Sequence, residues 1–285
     1  MTSTRSLTTL LGHEMTVFTP DHVGDKIASQ GLYEKENLQL LLALLKRLPE
    51  AVVLDIGANI GNHTLAFATA AAEVHAFEPM PHIHRVLADN VARNQLPAKV
   101  VAHHCALSDT EGSDTLYIRL DGNYGASSFD KRSDAVEAVT VVKHVGDSYL
   151  REQGIGRVDF VKIDVEAHEV FVLRGLEDTL ARDLPVLTME WNDPLTIERL
   201  SGSPELAFLE QHYTIHVLGS SYDRGYWEGR PFALLRRKWT KLTQPRRAVL
   251  YPFKSERLYK NLLLIPKGRE TLLEGLEPIQ FAERP

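Results

Sequence analysis

The chain has 285 residues, 44% of them hydrophobic, with a single cysteine and a formal net charge of −6. That much apolar side chain can fill the core of one large domain, and the acidic balance excludes a protein that coats nucleic acid with its whole surface. One cysteine, Cys105, excludes an internal disulfide framework and fits a small core residue in a reducing compartment.

Arg5 is followed by no apolar run, and the leucines of residues 38–45 are too few to span a bilayer, so a cytoplasmic chain is expected. Residues 2–30 are weakly patterned, with a short strand over 16–18 and a turn at Pro20 and Asp21. Residues 36–48 carry a helical stripe of Leu38, Leu41, Leu42, Leu45 and Leu48 that should pack on a sheet. Glu34, just ahead of it, either caps that helix through its charge or serves a binding site. The expected division is an extension with a helix over 1–48 and an α/β domain over 49–285.

Residues 52–64 read Val-Val-Leu-Asp-Ile-Gly-Ala-Asn-Ile-Gly-Asn-His-Thr. The apolar run ends in Asp55 and passes Gly57 and Gly61 into a helix expected over 65–72, the pattern of a buried strand turning sharply into a helix. Gly57 permits the turn, Asn59 tolerates a left-handed backbone, and Gly61 lets a ligand approach the helix start. The glycine spacing is not that of a dinucleotide fold, and a carboxylate at the strand end would repel a pyrophosphate; it suits a cationic ligand instead. A second apolar strand, 74–77, ends at Glu78, where an acid accepts hydrogen bonds from a ribose. A cationic end and a ribose beside a glycine turn together describe S-adenosylmethionine.

A helix over 81–94, opened by its proline, and a strand over 99–103 follow. Ala106 and Leu107 stand where a nucleobase could rest. Residues 115–120 and 138–142 read as a strand pair, joined through a long polar loop over 121–129. Residues 158–169 form a strand ending at Asp164, then Glu166, His168 and Glu169, and a helix running through Val172, Leu173, Leu176 and Leu180. Glu169 reads as a solvated residue of the first helical turn. A strand over 186–189 ends at Glu190. In a parallel sheet Asp55, Asp164 and Glu190 converge on one crevice. Asp164, Glu166, Glu190 and Asp193 also offer the hard oxygen ligands that Mg2+ takes.

The last third holds a helix over 204–211 and strands over 214–218 and 261–265. Between those strands lies an insert, 219–260, with eight aromatic side chains and eleven Lys and Arg. It could close over the crevice and stack on a sugar, bind phosphate or a membrane surface, or simply balance an acidic body in solvent.

The runs LDIGANIGNHT, FEP, NYGASS, VKIDVEAHE and NLLLIP together resemble the FkbM family of S-adenosylmethionine-dependent methyltransferases, over residues 31–266. The resemblance implies the Rossmann-like class I methyltransferase fold: a seven-stranded, mostly parallel sheet with helices on both faces, here with an N-terminal helical extension and the long insert. It implies O-methylation of a hydroxyl on a sugar, glycolipid or polyketide-type product, releasing S-adenosylhomocysteine. It places Asp55, Gly57, Ala58, Asn59, Gly61 and Asn62 in the cofactor loop, Glu78 at the ribose and Asp164 beside the sulfonium; it calls for no metal. For proton removal the candidates are Asp164 and His168, with Glu166 or Glu190 orienting the substrate or the imidazole. The family commonly has Gly where Ala167 stands, so a positive φ there would strain this chain, and a merely close approach would narrow the pocket. Two rivals remain: an RNA methyltransferase using the basic 224–260 stretch, and a cofactor-binding module without catalysis.

Overall fold

A computed structural model describes residues 3–119, 128–130 and 135–277. The chain opens with an antiparallel hairpin, β1 (Ser3–Thr8) and β2 (Glu14–Thr19), then helices α1 (His22–Gln30) and α2 (Lys35–Leu45). The extension is therefore not purely helical. The alternation in β1 is almost wholly polar and exposed, and so gives no strand signal in sequence. Asn90, fully buried, ties the hairpin down by accepting from Thr16 N (2.7 Å) and donating to the Thr16 and Ile60 carbonyls.

Then come β3 (Val52–Ile56), α3 (Asn62–Phe67), β4 (Glu73–Phe77), α4 (Pro81–Ala92), β5 (Lys99–His103), β6 (Ala106–Ser108), β7 (Gly112–Arg119), β8 (Ala135–Val145) and α5 (Gly146–Glu152). The second half runs β9 (Phe160–Ile163), α6 (Glu169–Gly175), α7 (Glu177–Asp183), β10 (Val186–Trp191), α8 (Pro194–Leu200), α9 (Pro204–His212), β11 (Tyr213–Ser220), α10 (Arg224–Trp227), α11 (Ala233–Thr243), β12 (Ala248–Pro252) and β13 (Tyr259–Pro266). Asp193 and Ser203 cap α8 and α9, each just before a proline that fits the first helical turn.

The main sheet has the order β12-β11-β13-β10-β9-β3-β4-β5. β10, β9, β3, β4 and β5 are mutually parallel, and β13 runs against both of its neighbours. The count is eight rather than seven because the insert contributes β12 as an extra edge strand against β11. β6, β8 and β7 form a separate small sheet. The polar loop expected over 121–129 lies, through residue 127, outside the described residues.

Core packing follows the two faces of the main sheet. Along β3, Leu54 and Ile56 join the cluster under α6 and α7, while Val53 joins the cluster with the α2 leucines on the other face. All five leucines of the expected stripe are buried, and full burial of one such side chain stabilises by about 1.5–3 kcal/mol. The helix expected to run from Glu169 through Leu180 breaks at Leu176 into α6 and α7. Gly175 is pressed so closely on the Ser108 carbonyl that a Cβ would collide with it.

Candidate active site

The carboxyl ends of β3, β4, β9 and β10 border one cleft, together with α4, β6, Phe129 and the turn after β9. It encloses about 1030 Å3 of empty space, open solvent at its mouth included. Of the sequence-predicted residues, Gly57, Ala58, Asn59, Asn62, Glu78, Ala106, Leu107, Asp164, Glu166, His168 and Glu190 line it.

The first wall is the turn after β3. Gly57 has φ +79°, and a Cβ there would collide with the Asp164 carbonyl, so the turn and the end of β9 interlock. Asn59 takes the left-handed conformation at φ 50°, as its residue type allows. Gly61 follows as the N-cap of α3. Glu78 reaches back to this turn, one oxygen accepting from Asn59 N (3.1 Å) and the other from Met80 N (2.9 Å). Burial pushes its carboxyl up to about 7, against the pull of those two N–H groups.

Asp55 does not line the cleft. Strand alternation turns it under α3, where it is fully buried, accepts from Thr64 Oγ1 (2.6 Å) and lies 3.4 Å from Lys162 Nζ. Lys162 also reaches Asp164, at 3.1 Å. Burial alone would lower the Lys162 ammonium, but Asp164 and Asp55 outweigh it and hold it above its ordinary value. Sequence reasoning missed Lys162; the signal was a lone charge inside an apolar strand, which needs a partner when buried.

Glu34 sits beside the cleft rather than in its lining, with a backbone φ of 52° and no side-chain cap on α2. Its carboxylate takes Lys260 (2.8 Å), Asn261 (2.9 Å) and His63 (3.4 Å). Burial would raise it, but the His63 hydrogen bond and the Lys260 charge pull it far below the usual carboxylate range. Tyr33 lines the cleft next to it and exchanges hydrogen bonds with Asn62. Tyr33, His63 and Lys260 were likewise not singled out from sequence.

The opposite wall follows β9. Ala167 has φ +74° and Glu166 φ 50°, so the position where the family commonly carries Gly is one that disfavours a side chain. The turn is braced from outside: Arg199 donates to the Ala167 carbonyl (2.7 Å) and pairs in two-pronged fashion with Asp130, while Ser128 donates to the Glu166 carbonyl (3.0 Å).

His168 is buried between the rings of Phe129 and Phe171, and its Nε2 lies 3.0 Å from Ser108 Oγ. Burial, with Lys143 adding to it, lowers its pKa to about 4, so the imidazole is neutral at physiological pH. Glu169 is not solvated as expected: it is 1% exposed, bonded to Thr196 Oγ1 (2.8 Å) and raised to about 7 by burial. Glu190 is buried at the end of β10, and its Oε2 has no hydrogen-bond partner among the described residues. Burial first, then the neighbouring charges of Asp164, Glu166 and Glu169, push its pKa well above the ordinary range. Asp193 caps α8 through Leu195 N (2.9 Å), and among the described residues no group of three or more His, Cys, Asp or Glu is gathered to hold a metal ion.

The model of the methyltransferase FkbM domain matches residues 55–219, more than half of the chain and both walls of this cleft. The chain belongs to the FkbM methyltransferase family. Within the family it is similar to the 31-O-demethyl-FK506 methyltransferase FkbM of Streptomyces tacrolimicus, 33% identical over 162 residues, covering 46% of this chain and 61% of that protein. It is also similar to the hexuronic acid methyltransferase AglP of Haloferax volcanii, 29% identical over 147 residues, covering 52% and 58% respectively. The chain thus spans about two thirds or less of the length of the curated relatives it matches. Among solved structures, a methyltransferase FkbM from Methylobacillus flagellatus is similar at a TM-score of 0.42 and 14% identity, covering 85% of this chain and 60% of that one.

Proposed function

We propose that the cleft binds S-adenosylmethionine and that the chain transfers its methyl group to a hydroxyl of a sugar, glycolipid or polyketide-type product, with Glu190 receiving the hydroxyl proton. The observation that carries this reading is the buried, unpartnered Glu190 Oε2 in a cleft whose opposite wall is a glycine turn and a carboxylate. A buried polar atom without a partner is costly, and its persistence at a cleft marks a place where a ligand completes it.

The residues present fit the cofactor. Glu78 keeps lone pairs beyond the two N–H groups it accepts, at the position that suits ribose hydroxyls. Ala106, Leu107, Met80 and Ile83 give an apolar strip for a flat base. Asp164 offers the carboxylate for a cationic centre, because Asp55 is enclosed with Lys162 and Thr64 and acts on the site through Lys162. Bound there, S-adenosylmethionine supplies a methyl group already electrophilic on a sulfonium.

The chain then has to hold a hydroxyl in line and accept its proton as the new O–C bond forms. His168 suits that task less than its residue type suggests: its Nε2 is engaged with Ser108, its ring is clamped, and its basicity is lowered by burial. We assign it to shaping the acceptor wall. Glu190 has the opposite properties, an available oxygen and a raised pKa. A cation placed beside it would draw its pKa back down, so the base is ionised when the site is charged for reaction. The acceptors named for two relatives, 31-O-demethyl-FK506 and hexuronic acid, support a small hydroxyl-bearing substrate.

The test is incubation with methyl-labelled cofactor and a panel of sugars, uronic acids, glycolipids, polyketide-type hydroxyl compounds and RNA. Label appearing in an alkali-stable ether, with stoichiometric S-adenosylhomocysteine, supports the reading. Label entering only RNA would replace it.

A further inference from the structure

Residues 219–260 carry eleven Lys and Arg against three Asp and Glu, in a chain whose net charge is −6. Within this basic excursion α11 is oriented the wrong way round for a helix packed on a soluble core. Its Thr240 is buried, and Arg237 turns inward to donate to the Tyr222 carbonyl (2.8 Å). Leu235, Trp239 and Leu242, spaced four and three residues apart on one stripe, face solvent at 68%, 67% and 83% exposure. Phe232 and Leu234 at the start of the helix are exposed as well. Of the seven exposed large hydrophobic residues among those described, five lie in residues 232–242. Concentrated on one element, they form a patch rather than the scattered surface apolar residues of an ordinary soluble domain.

The chemistry of the flanks identifies what such a patch fits. On a helical projection Lys238 and Arg236 border the stripe on either side, and Lys241 lies beyond Lys238; Arg246 and Arg247 follow just after the helix. A stripe of Leu and Trp edged by Lys and Arg is the pattern of a helix lying in the plane of a lipid interface, apolar side down, with its bases at the headgroups. An RNA surface would find use for the bases and for the rings of Phe232 and Trp239, but not for the solvent-facing Leu234, Leu235 and Leu242.

The position of the segment adds a second reason. It leaves the sheet at the end of β11, adds β12 to the edge of the sheet after α11, and enters β13, where Tyr259 pairs with Trp191 and Lys260 joins Glu34 beside the cleft. A groove of about 1950 Å3 of empty space, open solvent included, lined by Arg237, Lys241, Arg246, Arg257 and Lys260 among others, runs along the same segment.

We propose that α11 docks this protein on an anionic lipid bilayer, with Leu235, Trp239 and Leu242 entering the interface and the bordering bases meeting the headgroups. The surface is separate from the cleft, so its test is independent of methyl transfer. The whole chain is sedimented with vesicles of phosphatidylcholine alone and of equimolar phosphatidylcholine and phosphatidylglycerol. Binding to the mixed vesicles only is expected, with a blue shift in fluorescence that a Trp239→Phe variant loses. Leu235→Glu with Leu242→Glu should abolish binding, and Arg236→Gln with Lys238→Gln should weaken it about thirtyfold, the scale on which clustered bases act near anionic lipid. All four positions are exposed, so the melting temperature serves as a control and should stay constant. Failure to bind mixed vesicles, binding unaltered by both double variants, or a wild-type dimer in solution that Leu235→Glu with Leu242→Glu converts to monomer would each overturn the proposal. Stronger binding to RNA than to the mixed vesicles would do the same.

Discussion

Lys162 and Asp55 occupy paired positions on the parallel strands β9 and β3, which points both side chains to one face and brings ammonium and carboxylate to 3.4 Å in the core. Asp164, next on the same face of the chain, shares the ammonium at 3.1 Å. The pair turns a buried acid that cannot reach the cleft into a support for one that can.

Removing the lysine tests that support. Lys162→Met leaves Asp55 as an uncompensated buried charge, and such a break costs about 3–5 kcal/mol. Urea unfolding should show a loss of that order, largely restored by adding Asp55→Asn. A loss within experimental error would mean the two charges are not coupled.

Ala167 gives a second prediction, of opposite sign. At φ +74° an alanine bears a strain that glycine does not, while glycine loses more chain entropy on folding. Ala167→Gly is expected to stabilise the protein by about 0.5–1 kcal/mol, read as a raised melting temperature. Destabilisation by a similar amount would show that the conformation at this turn is not left-handed.

Glu78 should make stability depend on pH. Its folded-state pKa of about 7 lies above the ordinary 4.5, so the folded protein binds more protons in between. Its favourable contribution is full below about 4.5 and is lost as pH rises through about 7. Glu169 acts in the same direction, whereas His168, lowered to about 4, acts oppositely below its ordinary 6.5. The clean comparison is therefore wild type against Glu78→Gln without ligand. Between pH 4.5 and 8 the wild type should lose on the order of 3 kcal/mol relative to the variant. Parallel stability curves would remove the carboxyl from this role.

What could be read from the sequence was mostly local. The strand, glycine turn and helix around Asp55 are dictated by neighbouring residues, as are Glu78 at the next strand end and the leucine stripe of α2. The site features that escaped notice depend on partners far away in the chain. Lys162 acquires its meaning from the register of two strands, and Glu169 is buried because Thr196 on α8 covers it. Glu190 and His168 stand out in the sequence at or just after strand ends, but their protonation depends on burial and on which atoms are already engaged. Those are tertiary facts. The hairpin β1–β2 escaped for the reverse reason: its strands are held by pairing and by Asn90, with little apolar alternation to announce them.

Turnover separates Glu190 from His168 as the base. Glu190→Gln should lower kcat by about 10²–10⁴ with little change in cofactor affinity, the usual scale for a general base. His168→Gln should cost far less. In the wild type kcat/KM should rise with pH as Glu190 ionises in the free enzyme, and kcat should rise at lower pH, where the bound cation has already ionised it. Equal losses for the two variants would return His168 to the chemistry.

The most direct measurement is calorimetric titration of ligand-free protein with S-adenosylmethionine and with S-adenosylhomocysteine, each in two buffers of different ionisation enthalpy. Both should bind, both should be weakened by Glu78→Ala, and the sulfonium ligand should release more protons than the neutral one, the excess vanishing in Glu190→Gln. Heat from neither ligand would contradict the cofactor assignment itself, and equal proton release from both would contradict the placing of Glu190 beside the cation.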